Sequence, residues 1–136
     1  MSAQKANGTL LKQGTVTIGS LSKIKPPEKS ADTIDVTTID VIDGYKKFIA
    51  GFKDGGEVTV EGYFDFTDQG QLALDTSFDA GTTDTYTIAF PTSIGANFTF
   101  SGVVTKYGVG EVNSKDALGF SATIKVAGKP TLAASA

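Results

Sequence analysis

Apolar and polar residues alternate along most of this chain. In Glu57-Val58-Thr59-Val60-Glu61 the odd positions are polar and the even ones apolar, and Thr33-Ile34-Asp35-Val36-Thr37 keeps the same parity. Ser121, Thr123 and Lys125 oppose Ala122, Ile124 and Val126 in the same way. A period of two turns one side of a strand to a core and the other to water. With the high β-branched content, the pattern predicts strands over 14–23, 33–40, 56–64, 83–90, 97–107 and 118–126. The polar face then carries Asp35, Glu57 and Glu61 among threonines, an acid-and-hydroxyl wall.

One segment changes period. Leu72, Leu74 and Phe78 predict a helix over 68–78 that buries these three side chains. Thr67 is placed to cap its start, Asp68 sits in the first turn where the helix dipole favours an acid, and Gly81 lies just past the end. The expected architecture is a single domain over 1–136, mostly β with one α-helix, a β-sandwich or small barrel closed by that helix. Pro26-Pro27 breaks the first strand from the second, because a proline pair cannot donate to a ladder. Gly108, Gly110 and residues 113–116 predict the turn before the last strand. The ends, about 1–8 and 131–136, are small and polar and read as flexible arms.

Residues 40–56 are too many for a hairpin turn, which needs roughly two to five. They hold Tyr45, Phe48, Ile49 and Phe52 between Asp43, Lys46, Lys47, Lys53 and Asp54. A loop of that length in a small domain is either disordered or functional.

Composition narrows the chemistry. The chain has 136 residues and contains no Cys, His or Trp, and all 12 basic residues are lysine. Absent cysteine removes disulfides and thiolate sites; absent histidine removes the commonest general base and metal ligand. Absent arginine removes the bidentate fork that grips phosphate. The first residues lack an apolar signal core and no run approaches the ~18 apolar residues of a spanning helix, so the expectation is a soluble protein made in a cytoplasm, with no membrane insertion. The net charge of −3 is unevenly spread: residues 31–84 carry twelve acids against Lys46, Lys47 and Lys53, while both flanks are net basic.

Three kinds of chemical site remain conceivable against that background. Asp65, Thr67, Gln69 and Gly70 half match a calcium loop, but its twelfth position is Thr76 rather than a bidentate glutamate. Helix capping explains the same residues. No carboxylate pair is singled out for glycoside hydrolysis, so no catalytic residue, cofactor or metal is assigned. Scattered lysines on an acidic chain do not make a tight nucleic-acid surface.

The order of motifs resembles the major tail tube protein of long-tailed, non-contractile bacteriophages. The run T-I-D-V-T-T-I-D leads to G-Y-K-K-F-I-A-G-F-K-D-G-G-E-V-T-V-E-G-Y-F-D and then to the Asp-Gln-Gly-Gln-Leu segment. F-T-F-S-G-V-V-T-K-Y-G-V-G-E-V and L-G-F-S-A-T-I-K-V-A-G-K-P-T-L complete the likeness over about 9–132. Its most specific piece is residues 51–58. A C-terminal immunoglobulin-like domain that some members append is not part of the resemblance, so its role is not carried over.

The resemblance implies a structural, non-enzymatic virion protein of the phage tail, assembled in the host bacterial cytoplasm. It implies subunits that stack as hexameric rings, with hairpins contributing to an intersubunit β-barrel through which double-stranded DNA passes without tight binding. A tape-measure protein, a tail terminator and tail tip proteins are the implied partners. Thr33, Asp35, Thr37, Glu57, Thr59 and Glu61 are then expected to face the lumen, where carboxylates repel phosphate. Asp43, Tyr45, Lys46, Lys47, Phe48, Ile49, Phe52, Lys53 and Asp54 are expected to contact the adjacent ring. Alternatives are the tube of a contractile tail, a gene transfer agent or a secretion machine, and a monomeric β-sandwich recognition module.

Overall fold

A computed structural model of the chain describes residues 8–40, 42–110, 112, 114 and 118–134. The chain runs β1 (Leu10–Gln13), β2 (Val16–Ile18), β3 (Leu21–Lys25), β4 (Ser30–Asp35), β5 (Phe48–Asp54), β6 (Glu57–Tyr63), α1 (Gln69–Ala80), β7 (Thr83–Ala89), β8 (Ala96–Val109) and β9 (Gly119–Ala134). Seven strands form one antiparallel sheet in the order β2-β1-β7-β8-β9-β6-β3, and β4 and β5 form a separate two-stranded sheet.

The sheet is curled, and the sequence dictates the curl. Its two edge strands, β2 and β3, are consecutive in the chain with only Gly19 and Ser20 between them. So short a link holds opposite edges of the sheet together, which turns it into a half-barrel around one core. Of the two architectures expected, the sheet follows the barrel, as a half-barrel whose edge strands are not paired with each other. Six of the seven strands send residues into the core, where Leu11, Ile18, Val58, Val60, Tyr86, Ile88, Phe100, Phe120, Ala122, Ile124 and Val126 are buried, and β3 adds the partly buried Leu21 and Ile24. Tyr86 stacks on Phe100 with centroids 5.6 Å apart, and Tyr107 meets Phe120 edge-on at 5.3 Å.

The helix packs against β8, β2 and β1, and its N-terminal end is bonded to the junction between the two edge strands. Its buried residues are Gly70, Gln71, Leu74 and Ser77, one face at helical spacing. That corrects the expected face, since Leu72 and Phe78 are partly exposed and only Leu74 is in the core. The cap is Asp68 rather than Thr67: its Oδ2 accepts the N–H of Gln71 at 2.9 Å and that of Gly19 at 3.0 Å. Gly70 has no β-carbon to hold the helix off β2, where one would clash with the backbone of Thr17 and Ile18. Gln71, fully buried, donates to the carbonyls of Gly19 (3.1 Å) and Tyr63 (2.9 Å) and accepts from the Asp65 N–H (3.0 Å). One side chain thereby ties the β2–β3 junction, the end of β6 and the approach to the helix. Asp65 itself accepts from the Thr67 hydroxyl and then from the Thr67 backbone N–H, which holds its carboxyl below the usual carboxylate range. The half-matching calcium loop is a turn and a helix cap, and no cluster of three potential metal ligands occurs among the described residues.

Other boundaries move as well. The strand expected over 14–23 is broken at Gly19-Ser20, and its halves lie on opposite edges of the sheet. The strand expected over 33–40 starts earlier and stops at Asp35. Leu10–Gln13 is a strand the alternation does not reveal. The expected C-terminal arm is partly ordered: Thr131 to Ala134 pair with Thr99 to Ala96. Residues 1–7 and 135–136 of the expected arms, and most of the expected turn over 113–116, lie outside the described residues.

Candidate assembly interface

Strands β3, β4, β5 and β6 make one long hairpin, bent at its middle. The lower half, β3 with β6, belongs to the barrel; the upper half, β4 with β5, leaves it. Pro26-Pro27 interrupts one arm and Gly55-Gly56 the other. Gly56 has φ 83°, a left-handed conformation, and a β-carbon there would clash with the backbone of Glu28. Its N–H donates to Asp54 Oδ1 at 2.8 Å, and its carbonyl accepts from the Val126 N–H at 3.0 Å.

Beyond that point β5 and β9 part. The Lys125 ammonium crosses the opening to both Asp54 oxygens, at 2.9 and 3.1 Å. The Gly56 N–H, then the Lys125 ammonium, hold the Asp54 carboxyl below the usual range. Between β5 and the distal half of β9 lies a groove of about 900 Å³, lined among others by Lys29, Phe52, Lys53, Gly128, Lys129 and Pro130. Pro130 is tolerated in β9 because the β8–β9 register shifts between Thr99 and Ser101, so the ladder is already interrupted there.

The β4–β5 hairpin has no core of its own. Ile34 lies opposite Ile49, Asp35 opposite Phe48, and Thr33 opposite Ala50. Ile34, Phe48 and Ile49 are about half exposed and Phe52 is 91% exposed. In the connecting loop Ile39 and Ile42 are fully exposed and Tyr45 is 76% exposed. Isolated two-stranded hairpins are marginal in water, and apolar side chains on both faces leave this one unburied.

The segment expected as one loop over 40–56 is therefore half strand. Asp43, Tyr45, Lys46 and Lys47 are in the loop, whereas Phe48, Ile49, Phe52, Lys53 and Asp54 are on β5. The base of the loop is ordered by Thr37, whose Oγ1 accepts the Lys47 N–H at 2.7 Å, while the Thr37 N–H donates to Asp35 Oδ1 at 2.8 Å. Hydrogen bonds from Thr37, hydroxyl first, hold the Asp35 carboxyl below its usual range. Asp43 Oδ1 accepts the Tyr45 N–H at 3.0 Å.

The acid-and-hydroxyl wall is corrected in two respects. Thr33 and Asp35 are on β4 and Thr37 in the loop, whereas Glu57, Thr59 and Glu61 are on β6 in the other sheet. Nor is the barrel's outer face purely acidic. Cross-strand partners share a face, and Glu57 pairs with Lys125, Glu61 with Lys23 and Ser121, Thr59 with Lys25 and Thr123, and Thr123 with Lys106. Local parity puts Lys125 on a polar face, but the pairing that brings it and the other lysines beside these acids joins strands distant in sequence. The same is true of the groove, whose Lys29 comes from a segment that reads as a loop and whose Lys129 and Pro130 lie between the expected last strand and the expected arm.

The sequence profile of the lambda phage tail tube protein, TTP, matches residues 3–133. The chain belongs to that family. It is thus a tail tube protein, a structural component of phage-type tails. The curled sheet is also the tube fold seen in solved particles. A chain in the virion of a native gene transfer agent particle superposes with TM-score 0.81 at 18% identity, covering 97% of this chain and 100% of that one. The tail of an empty gene transfer agent particle with C6 symmetry gives 0.79 at 19%, covering 98% and 100%. The sheath/tube terminator structure of an extracellular contractile injection system, PVC, gives 0.77 at 14%, covering 98% and 99%. No curated protein sequence matches the chain. Among the described residues, no helix of the tail tube protein is long and apolar enough to cross a membrane.

Proposed function

We propose that this tail tube protein polymerises as stacked six-membered rings into a hollow tube, the conduit for double-stranded DNA. The observation that carries the reading is the β4–β5 hairpin, an apolar projection that lies outside the core of the half-barrel. The C6 symmetry of the gene transfer agent tail supports the ring number. Asp43, Tyr45, Lys46, Lys47, Phe48, Ile49, Phe52, Lys53 and Asp54 are the proposed contact surface, apolar side chains supplying area and charges fixing register. Both exposed edges of the hairpin offer unpaired backbone groups to adjoining subunits, so assembly removes an aggregation hazard.

The proposed lumen face is that of Glu57, Thr59 and Glu61, continued by Thr33, Asp35 and Thr37 on the hairpin. Hydroxyls and closely spaced opposite charges give phosphate no uninterrupted cationic track, and DNA slides rather than binds. A tape-measure protein filling the lumen, a terminator and tip proteins complete the proposed set of partners. Electron microscopy of the concentrated protein tests the reading: hollow tubes of uniform bore are expected, and a protein that stays monomeric with purified tail tip complex added overturns it. For the lumen assignment, phage carrying Glu57→Lys with Glu61→Lys should assemble but eject DNA more slowly. Unchanged ejection from such tails would remove those residues from the lumen.

A further inference from the structure

We propose that the lysine-rimmed groove between β5 and distal β9 receives the acidic, apolar tip of the β4–β5 hairpin from a second copy of the chain. The inference rests on the tube reading and names the surface that accepts the loop. Lys29, Lys53 and Lys129 line the groove together with Asp32 and Asp54, and because Asp54 is paired with Lys125 the lining is net positive. Among the described residues the ion pair is Lys125 with Asp54, which leaves these three lysines without a salt-bridge partner. Lys29 instead stands 6.0 Å from the ring centroid of Phe98. Phe52 and Pro130 supply apolar wall between the charges.

The hairpin tip has the complementary make-up. Asp40 and Asp43 alternate with Ile39, Ile42 and Tyr45, all exposed, while Lys46 and Lys47 lie behind them on the return to β5. The tip cannot reach the groove of its own subunit. From Phe48 to Asp54 the strand is extended, and six rises of ~3.4 Å put the tip roughly 20 Å away. Tip and groove are different patches, so a contact made one way only, tip into groove, is head-to-tail and propagates in one direction, as stacking of rings along a tube requires, whereas reciprocal exchange between two copies would close it as a dimer. Complementary charge steers the tip into register, and Ile42 and Tyr45 bury against Phe52 and Pro130 once seated.

Charge exchange tests the proposal. Lys53→Glu with Lys129→Glu, and separately Asp40→Lys with Asp43→Lys, should each keep the wild-type melting temperature and lower tube formation at least tenfold. The chain carrying all four substitutions, and an equimolar mixture of the two double variants, should recover it. Tubes forming normally from either double variant would overturn the docking while leaving the tube itself intact. Failure of the folded fourfold variant to recover would overturn it too. A second measurement covers variants that do not fold. The chain has no native cysteine, so Ile42→Cys with Lys129→Cys should give a disulfide ladder beyond the dimer when concentrated protein is oxidised. A product that stops at dimers, from reciprocal exchange of loops, or no cross-link at all, would contradict the head-to-tail contact. Absence of tubes in the wild type with the tip complex present would instead count against the tube reading.

Discussion

The barrel and the β4–β5 hairpin follow opposite rules in one chain. In the barrel, alternate residues of most strands enter a shared core, and the junction between the edge strands is held by hydrogen bonds of Gln71 and Asp68. In the hairpin, alternation leads nowhere: Ile34, Phe48, Ile49 and Phe52 are all exposed. The barrel buries its core within one subunit, and in the proposed tube the hairpin is buried by a neighbour. Stability and assembly should therefore separate by mutation, with barrel changes read in melting and hairpin changes read in polymerisation.

The largest expected loss of monomer stability comes from the core. Ile124→Ala should cost about 2–5 kcal/mol, measured by urea unfolding, because Ile124 is fully buried between neighbouring strands. Next, Gln71→Ala leaves the Asp65 N–H and the Gly19 and Tyr63 carbonyls without their partner, which should cost about 3 kcal/mol by the same assay. Tyr86→Phe keeps the stacked ring but removes the hydroxyl that accepts from Gln13 Nε2 at 3.0 Å, a loss of about 1 kcal/mol. Ile49→Ser with Phe52→Ser should change stability by less than about 0.5 kcal/mol, as for exposed sites, yet abolish tubes seen by electron microscopy. Equal losses from the core and hairpin variants in urea would erase the distinction.

The smallest effect is in pH. Burial raises the Tyr86 phenol, so the stability it contributes is present below the unfolded value of about 10 and lost as pH rises past it. Asp54 is lowered, so its contribution is present above the unfolded value of about 3.9 and lost as pH falls through its folded value. On the exposed hairpin that contribution is slight. Asp54→Asn should flatten the acid limb of a melting-temperature profile only marginally, whereas Tyr86→Phe should flatten the alkaline limb.

This division also explains what could be read from sequence. Val58, Val60, Ala122, Ile124 and Val126 were legible because period-two burial is a local signal, as was the left-handed cap at Gly81. The helix face was misread because Leu72 and Phe78 are apolar yet exposed, while a glycine and two polar residues, Gln71 and Ser77, are inside. Their burial follows from long-range bonds, Gln71 to Gly19 and Ser77 to Gln13 and Asp84. Strand β5 was hidden for a different reason. Its apolar residues do not face a core of their own chain, so Phe48 to Asp54 read as loop. The groove was illegible because it joins Lys29, Lys53 and Lys129 across three separate segments.

Amide hydrogen exchange on free subunits and assembled tubes tests the central claim most directly. Residues 30–54 should exchange fast in the free protein and become strongly protected in tubes, while β6, β8 and β9 stay protected in both. Strong protection of 40–54 in the isolated subunit, or no gain on assembly, would contradict the account.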